Sequence, residues 1–574
     1  MCRFFFLLVI CIPLCAKQAH SQWLERSYTI EEGWNAVFLD IEPYPEACEA
    51  QLGNRPINGV WARRDGGSTI EVVGPLPQLL SKGEEVWHVY YPPSAPETDI
   101  SNLSILEAGR AYLIQASEEF TWTFTGRPIN SDREWREGSL NLAGFYVDDS
   151  NPGLFSDFVS EDEDGNGPEV YQLLPDGGWT AVANLESATI SPRTGYLVRG
   201  GFRYGAGAVL PLPDFGRQID YPPQINLHSI TLQSAAGYNG TVQLSLSSSA
   251  AAPSEPPSLG QEEAAPVAGD VSLLWRKSDD VTSTWQPLPA SIPIEGDATP
   301  ELEIDLAVNR LEMGDGEPTD LFQSILTISD GIGYRREFGV NGSPLNFSGL
   351  WSGSVVLNKV SQPLEPGTDA QIEDTPATIE FRLLIHVDDN DNVTLLDEVS
   401  QIWKPIEGDP DGGEWLLVTR SVPESLRTEL VAGVISKQIP LPLHTSAINF
   451  ELRDADNNPI DVGMSGTFFP GETLTATFSL YDQNPTNPFH HRYHPDHTWN
   501  ENPLPSQIWD VKREITLSLS DGDASERAEV GWGDTWIDGK FDEVVTGIHE
   551  YAIQTQGTVR FQHTSRIGQL NGGQ

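Results

Sequence analysis

The sequence predicts an all-β, multidomain protein, and three observations carry that reading. Apolar and polar residues alternate over short runs, as in Thr473-Leu474-Thr475-Ala476-Thr477-Phe478-Ser479-Leu480 and Glu514-Ile515-Thr516-Leu517-Ser518-Leu519-Ser520. A period of two puts one face on a core and the other in water, as in antiparallel sheets. Glycine (52) and proline (43) punctuate these runs, at Gly331-Ile332-Gly333 and Asp411-Gly412-Gly413 for example. No segment sustains a helical period, and short helical turns are expected only at 45–52 and 153–159. A chain of 574 residues is long enough to bury several cores.

The elements follow in chain order. Residues 1–21 read as a Sec signal peptide, with Arg3 as the basic end and residues 4–15 as an apolar run of twelve. Twelve residues make about 18 Å of helix, too short for a hydrocarbon core of about 30 Å. Ala19-His20-Ser21 places small residues at −3 and −1, so cleavage is expected before Gln22. The expected destination is secreted or periplasmic/cell surface, with no membrane insertion after cleavage. Cys2, Cys11 and Cys15 lie in the leader, which leaves Cys48 and no intramolecular disulfide in the mature chain. Cys48 is either a buried small hydrophobe or a reactive thiol.

Two β-rich repeat units follow, 22–130 and 131–217. Gly33-Trp34-Asn35-Ala36-Val37-Phe38-Leu39 is similar to Ser139-Leu140-Asn141-Leu142-Ala143-Gly144-Phe145, and Gly109-Arg110-Ala111-Tyr112-Leu113-Ile114 to Arg193-Thr194-Gly195-Tyr196-Leu197-Val198. Residues 218–342 carry six strand candidates at the spacing of an Ig-like β-sandwich: 229–233, 241–247, 271–276, 302–308, 324–329 and 334–340. The Pro, Ala, Ser and Glu of 250–269 interrupt them as a flexible loop. Residues 343–574 form a larger C-terminal antiparallel β domain. Its strand candidates are 350–360, 379–387, 393–403, 415–419, 447–452, 474–480, 511–519, 544–549 and 558–563, with Asp388-Asp389-Asn390-Asp391-Asn392 as a hairpin turn.

Three phrases carry a resemblance: Gly349-Leu350-Trp351-Ser352-Gly353, Phe381-Arg382-Leu383-Leu384-Ile385-His386-Val387-Asp388, and Asn487-Pro488-Phe489-His490-His491-Arg492-Tyr493-His494-Pro495-Asp496-His497. The chain resembles secreted β-rich proteins of environmental Gram-negative bacteria over roughly 23–215 and 349–565. Regions of that kind sometimes accompany lectin-like jellyroll domains. The resemblance implies export and modularity, and no activity is attached to it.

Three constellations could carry chemistry. His490, His491, His494 and His497 lie within eight residues, with Asp496 among them, in a Pro-rich connection at 481–508. Imidazole and carboxylate are ordinary zinc ligands, and His549 and His563 are distant candidates to complete a set. The spacing matches no zincin or finger, so a structured loop of hydrogen-bonded histidines is the other reading. Asp162, Asp164 and Asn166, with Gly167 at the sixth position, match the start of a calcium loop. Position twelve is Leu173 where a bidentate Glu belongs, so this is not a complete EF-hand, and a solvated turn is the other reading. Of sixteen tryptophans, Trp34, Trp61, Trp87 and Trp122 lie in apolar runs and read as core. Trp499, Trp509, Trp532 and Trp536 lie near loops. Trp499, Trp532 and Trp536 are the leading candidates for a platform that stacks on sugars.

Composition bounds the partners. Lys and Arg number 34 against 83 Asp and Glu, a net charge of −49, which repels nucleic acid and anionic membranes unless a basic stripe intervenes. Arg63-Arg64 and Arg335-Arg336 are isolated pairs. A content of 39% hydrophobic residues is too rich for a disordered acidic tail. The chain has no Gly-x-Ser-x-Gly, no His-Glu-x-x-His and no phosphate-binding glycine loop. The expected function is that of an exported, non-catalytic, modular β protein serving as a structural, adhesive or binding component, with a glycan or an envelope or extracellular protein as partner. The alternative is a secreted metal-dependent hydrolase or carbohydrate-active protein using the 490–497 cluster, and calcium or zinc are the candidate cofactors.

Overall fold

The structure, a computed structural model, describes residues 22–64, 73–81, 86–130, 135–136, 138–162, 165–202, 208–209, 217–223, 225–234, 239–253, 267–278, 284–295, 301–314, 320–361, 371–405, 412–421, 443–446, 460–481, 487, 510–523, 526, 529–548 and 552–572. The chain divides into two compact units, Met1–Pro344 and Leu345–Gln574. Both are built of β-sheets, so the all-β, multidomain reading holds.

The first unit opens with a four-stranded antiparallel sheet, in spatial order Gly33–Leu39, Arg110–Ala116, Ile57–Arg63, Trp87–Tyr90. A second four-stranded sheet runs Asn141–Ala143, Tyr196–Arg199, Glu169–Leu173, Trp179–Ala181. In chain order both read first, last, second, third. Their registers also correspond. Asn35, Ala36 and Val37 stand opposite Ile114, Leu113 and Tyr112, as Asn141, Leu142 and Ala143 stand opposite Val198, Leu197 and Tyr196. Tyr112 Oη accepts the Glu107 N–H at 2.8 Å, and Tyr196 Oη accepts the Ser191 N–H at 3.0 Å. Asn35 exchanges two hydrogen bonds with the Glu31 backbone, and Asn141 does the same with Arg136. Leu113 and Leu197 meet in one core with Trp61, Trp87 and Leu173. The expected turns are the short helices Cys48–Leu52 and Phe155–Phe158, whose apolar sides bury Cys48, Leu52, Phe155 and Phe158.

The sandwich follows in the same unit. Leu227–Ser234, Glu301–Val308 and Leu273–Lys277 lie side by side in one sheet, and Arg335–Gly342, Leu321–Ser329 and Asn239–Ser248 in the other. Ile230, Ile304, Val242, Leu326 and Phe338 share the core. All six expected strands form, and among the described residues five more join them: Ala208–Val209, Ile219–Tyr221, Val267–Gly269, Gln286–Pro287 and Ala290–Glu295. Ala290–Glu295 is an edge strand, the place in a sheet where the missing N–H of a proline such as Pro293 is tolerated; that proline hid it in the sequence. Val267–Gly269, the end of the expected flexible loop, pairs in parallel with Leu321–Ser329, while 254–266 lie outside the described residues.

The second unit is built on an eight-stranded, nearly closed antiparallel barrel. Gly349–Ser361, Ile372–Val387, Val393–Leu396, Val462–Met464, Thr473–Leu480, Val511–Leu519, Trp536–Thr546 and Ile553–Ser565 neighbour one another in chain order, and the last pairs with the first. Reciprocal 2.8 Å hydrogen bonds between Ser465 and Thr475 close the seam between the fourth and fifth strands. Trp351, Val355, Leu383, Ile385, Leu474, Phe478, Leu517, Phe541 and Phe561 fill the interior. Eight strands enclose about enough space for side chains alone. The outward positions Thr473, Thr475 and Thr477 are exposed, the reverse of a lipid-facing barrel with its apolar outer band.

Two expectations for this unit are corrected. The expected strand 393–403 is two strands, Val393–Leu396 in the barrel and Glu398–Pro405 in a separate sheet with Gly413–Thr419 and Leu443–Thr445. The switch occurs where alternation breaks: Leu395 points into the barrel core, and Leu396 into a second core with Leu350, Leu384, Val399 and Leu417. The strand expected at 544–549 is Trp536–Thr546 and ends at Gly547, whose φ is +94°. Gly539 obscured its start; a Cβ there would lie 2.5 Å from the Ser518 carbonyl oxygen, so close backbone approach demands glycine. The candidate 447–452 lies outside the described residues.

Candidate functional site

An open cleft of about 870 Å³ lies on the outer face of the barrel unit. Four adjacent strands supply its lining, because every second residue of each points outward. Register sets the pattern. Arg382, Ser354, Arg560 and Asp538 form one row across the four strands, and Ser352, Gln562 and Trp536 form the next. Arg382, Ser354, Arg560 and Gln562 are exposed, and Trp536 is half-buried. The Arg560 guanidinium carbon lies 3.9 Å from the centre of a Trp536 ring, a cation–π stack that holds the indole. Ser354 Oγ donates to Glu380 Oε1 at 2.7 Å, and Glu380 is the one carboxylate among the described lining residues.

Packing beneath the sheet and a hydrogen-bonded turn hold the floor in place. Phe561 fills the space under Gly353, where a Cβ would come within 2.5 Å of the ring. Trp536 ends the turn 531–536, in which the N–H groups of Asp534, Thr535 and Trp536 converge on the Gly531 carbonyl. Positive φ at Gly531 and Gly533 permits that turn. Asp534 is buried and paired with Arg566 at 3.2 Å. His563 stacks on Trp351 at 4.2 Å, with Nδ1 3.3 Å from the Asp534 carbonyl oxygen and Nε2 3.1 Å from that of Ser348. Burial, then the nearby Arg566 charge, push its pKa down to about 4.

Trp532 is 4% exposed and presents no open face, whereas Trp536 lines the cleft. Trp61, Trp87 and Trp122 are core, and Trp34 packs on Trp61 at 4.9 Å. His490, His491, His494, Asp496, His497, Trp499, Trp509, His549 and Asp164 lie outside the described residues. His563 has both ring nitrogens against carbonyl oxygens. Asp162 accepts the Asn166 N–H at 2.8 Å and its side-chain amide at 2.9 Å. Asp388 and Asn392 repeat that arrangement at the same distances, with a left-handed residue before each Asn, Gly165 and Asp391. Burial opposes ionisation of Asp388, but the hydrogen bonds from Asn392 and Asn390 outweigh it and hold its carboxyl below the usual range. In each loop the first Asp carboxylate is held by the Asn four residues on. Cys48 is fully buried, and burial pushes its thiol up to about 12, far from a reactive thiolate.

The first unit has its own cavity, of about 300 Å³, lined by Arg26, Asp40, Tyr146, Asp149, Arg193 and Glu337 among others. Arg26 bridges Asp40, at 2.8 Å, and Glu337. Arg193 pairs with Asp149 at 2.7 Å and has φ of +58°, whereas the position corresponding to it in the first sheet is Gly109 at +72°.

Sequence reasoning missed Arg382, Arg560 and Glu380. Each is simply the polar member of an alternating strand, and only the register brings them together.

No protein-family model and no curated protein matches the chain. Among solved structures it is similar to the CupB2 chaperone of Pseudomonas aeruginosa, at 12% identity over 35% of this chain and 95% of that one, with a TM-score of 0.13. It is also similar to a Bacteroides ovatus protein of unknown function, at 8% identity over 59% of this chain and 86% of that one, with a TM-score of 0.16. Scores this low carry no argument about activity or partner.

Proposed function

We propose that the chain is an exported, non-catalytic, modular β protein that binds a saccharide in the Trp536 cleft, at or outside the cell envelope. The observation that carries this is the Trp536–Arg560 stack beside Ser352, Ser354, Gln562 and Thr564 on a rigid sheet face. Saccharides present apolar C–H surfaces and many hydroxyls, so an indole together with exposed hydrogen-bonding side chains is the matching chemistry. Glycoside cleavage ordinarily uses two carboxylates, and among the described residues lining the cleft Glu380 is the one carboxylate, so the reading is of binding. The leader pattern at 1–21 and the single cysteine outside it support export. Corresponding strand order, register and Tyr and Asn hydrogen bonds support reading 22–130 and 131–217 as a duplicated unit.

A glycan array probed with the purified full chain, followed by calorimetry on the best ligand, tests the reading. Trp536→Ala is expected to weaken binding about tenfold or more, the equivalent of about 1.4 kcal/mol, in a protein that melts somewhat lower but is still folded at the assay temperature. Blank arrays, or undiminished binding by the variant, would refute it.

A further inference from the structure

The first two described residues lie inside the first unit. Gln22 and Trp23 are both 0% exposed. Trp23 is pinned through its backbone: its N–H donates to Ser249 Oγ at 2.8 Å, and its carbonyl accepts the Ala250 N–H at 2.8 Å. Its indole meets Tyr44 edge-on at 5.0 Å. Gln22 packs on Gly339, where a Cβ would come within 2.1 Å of Gln22 Oε1; the missing side chain of Gly339 makes its seat. Yet neither Oε1 nor Nε2 of Gln22 has a hydrogen-bond partner.

A buried primary amide without partners is costly, and native structures contain few of them. Leader cleavage before Gln22 would add an α-ammonium at the same enclosed place, and an unpaired buried charge costs more than a neutral group. One reaction removes the charge and the Nε2 donors together, leaving a neutral lactam with one N–H and the former Oε1 carbonyl. We propose that Gln22 becomes the mature N-terminus and is converted to pyroglutamate before the segment docks. The α-amine nitrogen attacks the side-chain Cδ, a new N–Cδ bond closes a lactam ring, the Cδ–Nε2 bond breaks, and Nε2 leaves as ammonia. No oxidant, reductant or co-reactant is needed. The product is uncharged and lacks the unpaired Nε2 donor, and its compact ring suits the space over Gly339. The inference rests on the export reading above.

The test is the intact mass and the N-terminal peptide of the full chain, leader included, expressed in a Gram-negative host and recovered from its exported fraction. The expected peptide starts at Gln22, is lighter by one ammonia and takes no amine-reactive label. Intact mass recorded before digestion separates this from ring closure during handling. The Gln22→Ala variant is expected to start at the same position with its amine free, and to melt at a lower temperature. A wild-type peptide that starts at Gln22 with a free amine overturns the cyclisation and leaves the cleavage reading standing. A different start, or a retained leader, overturns both.

Discussion

His563 links the barrel's stability to pH, and the size of the effect follows from its surroundings. The ring is buried against Trp351 and Arg566 adds a positive charge nearby; both disfavour the imidazolium, and the Asp534 charge and the carbonyl oxygens facing the two nitrogens offset them only in part. Its folded pKa is down at about 4, against about 6.5 in an unfolded chain. The folded state therefore binds fewer protons than the unfolded state between these values. The contribution is intact above pH 6.5 and is lost as pH falls toward 4. A gap of about 2.5 units at about 1.4 kcal/mol each amounts to about 3 kcal/mol by pH 4. His563→Phe keeps a ring on Trp351 but gives up the polar contacts, a loss of about 1–2 kcal/mol at pH 7. The two proteins should then exchange rank: wild type more stable at pH 7, the variant more stable at pH 4. Acidic residues are common to both, so their titration cancels in the difference. Urea unfolding at several pH values measures the difference, and the NMR titration of the His563 imidazole reads the pKa directly. Parallel stability curves, or an imidazole that titrates near 6.5, would refute the reasoning.

Two further predictions concern packing and backbone. Gly353→Val drives a side chain into the Phe561 ring and should destabilise the barrel by about 1–3 kcal/mol, partly recovered by adding Phe561→Leu; an unchanged melting temperature would contradict the packing described. At Arg193, Gly should be more stable than Ala by about 1 kcal/mol, because both substitutions lose the Asp149 pair but only glycine accepts φ of +58° without strain; denaturant melts in which Ala equals or exceeds Gly would refute this.

Much of the fold was legible in the sequence because its signals are local. Alternation in 473–480 and 511–519 marked strands whose apolar members do fill the barrel. The paired phrases around Tyr112 and Tyr196 marked positions that fall in corresponding register. Trp61, Trp87 and Trp122 were legible as core, since an indole within an apolar run has nowhere else to go. A proline concealed the Ala290–Glu295 edge strand, and a glycine concealed the start of Trp536–Thr546, because both residues break the local pattern while tertiary pairing tolerates them.

The candidate site was much less legible. By sequence alone Trp532 and Trp536 are equivalent aromatics of one turn; packing buried the first and left the second beside Arg560. Arg382, Ser354, Arg560 and Asp538 lie far apart along the chain, and their row exists only because four strands pair in one register. Alternation is a property of neighbouring residues, so the sequence by itself determined which segments are strands and which side of each is apolar. Register and barrel closure depend on hydrogen bonds between distant segments, so only the tertiary structure decided which polar residues share a face.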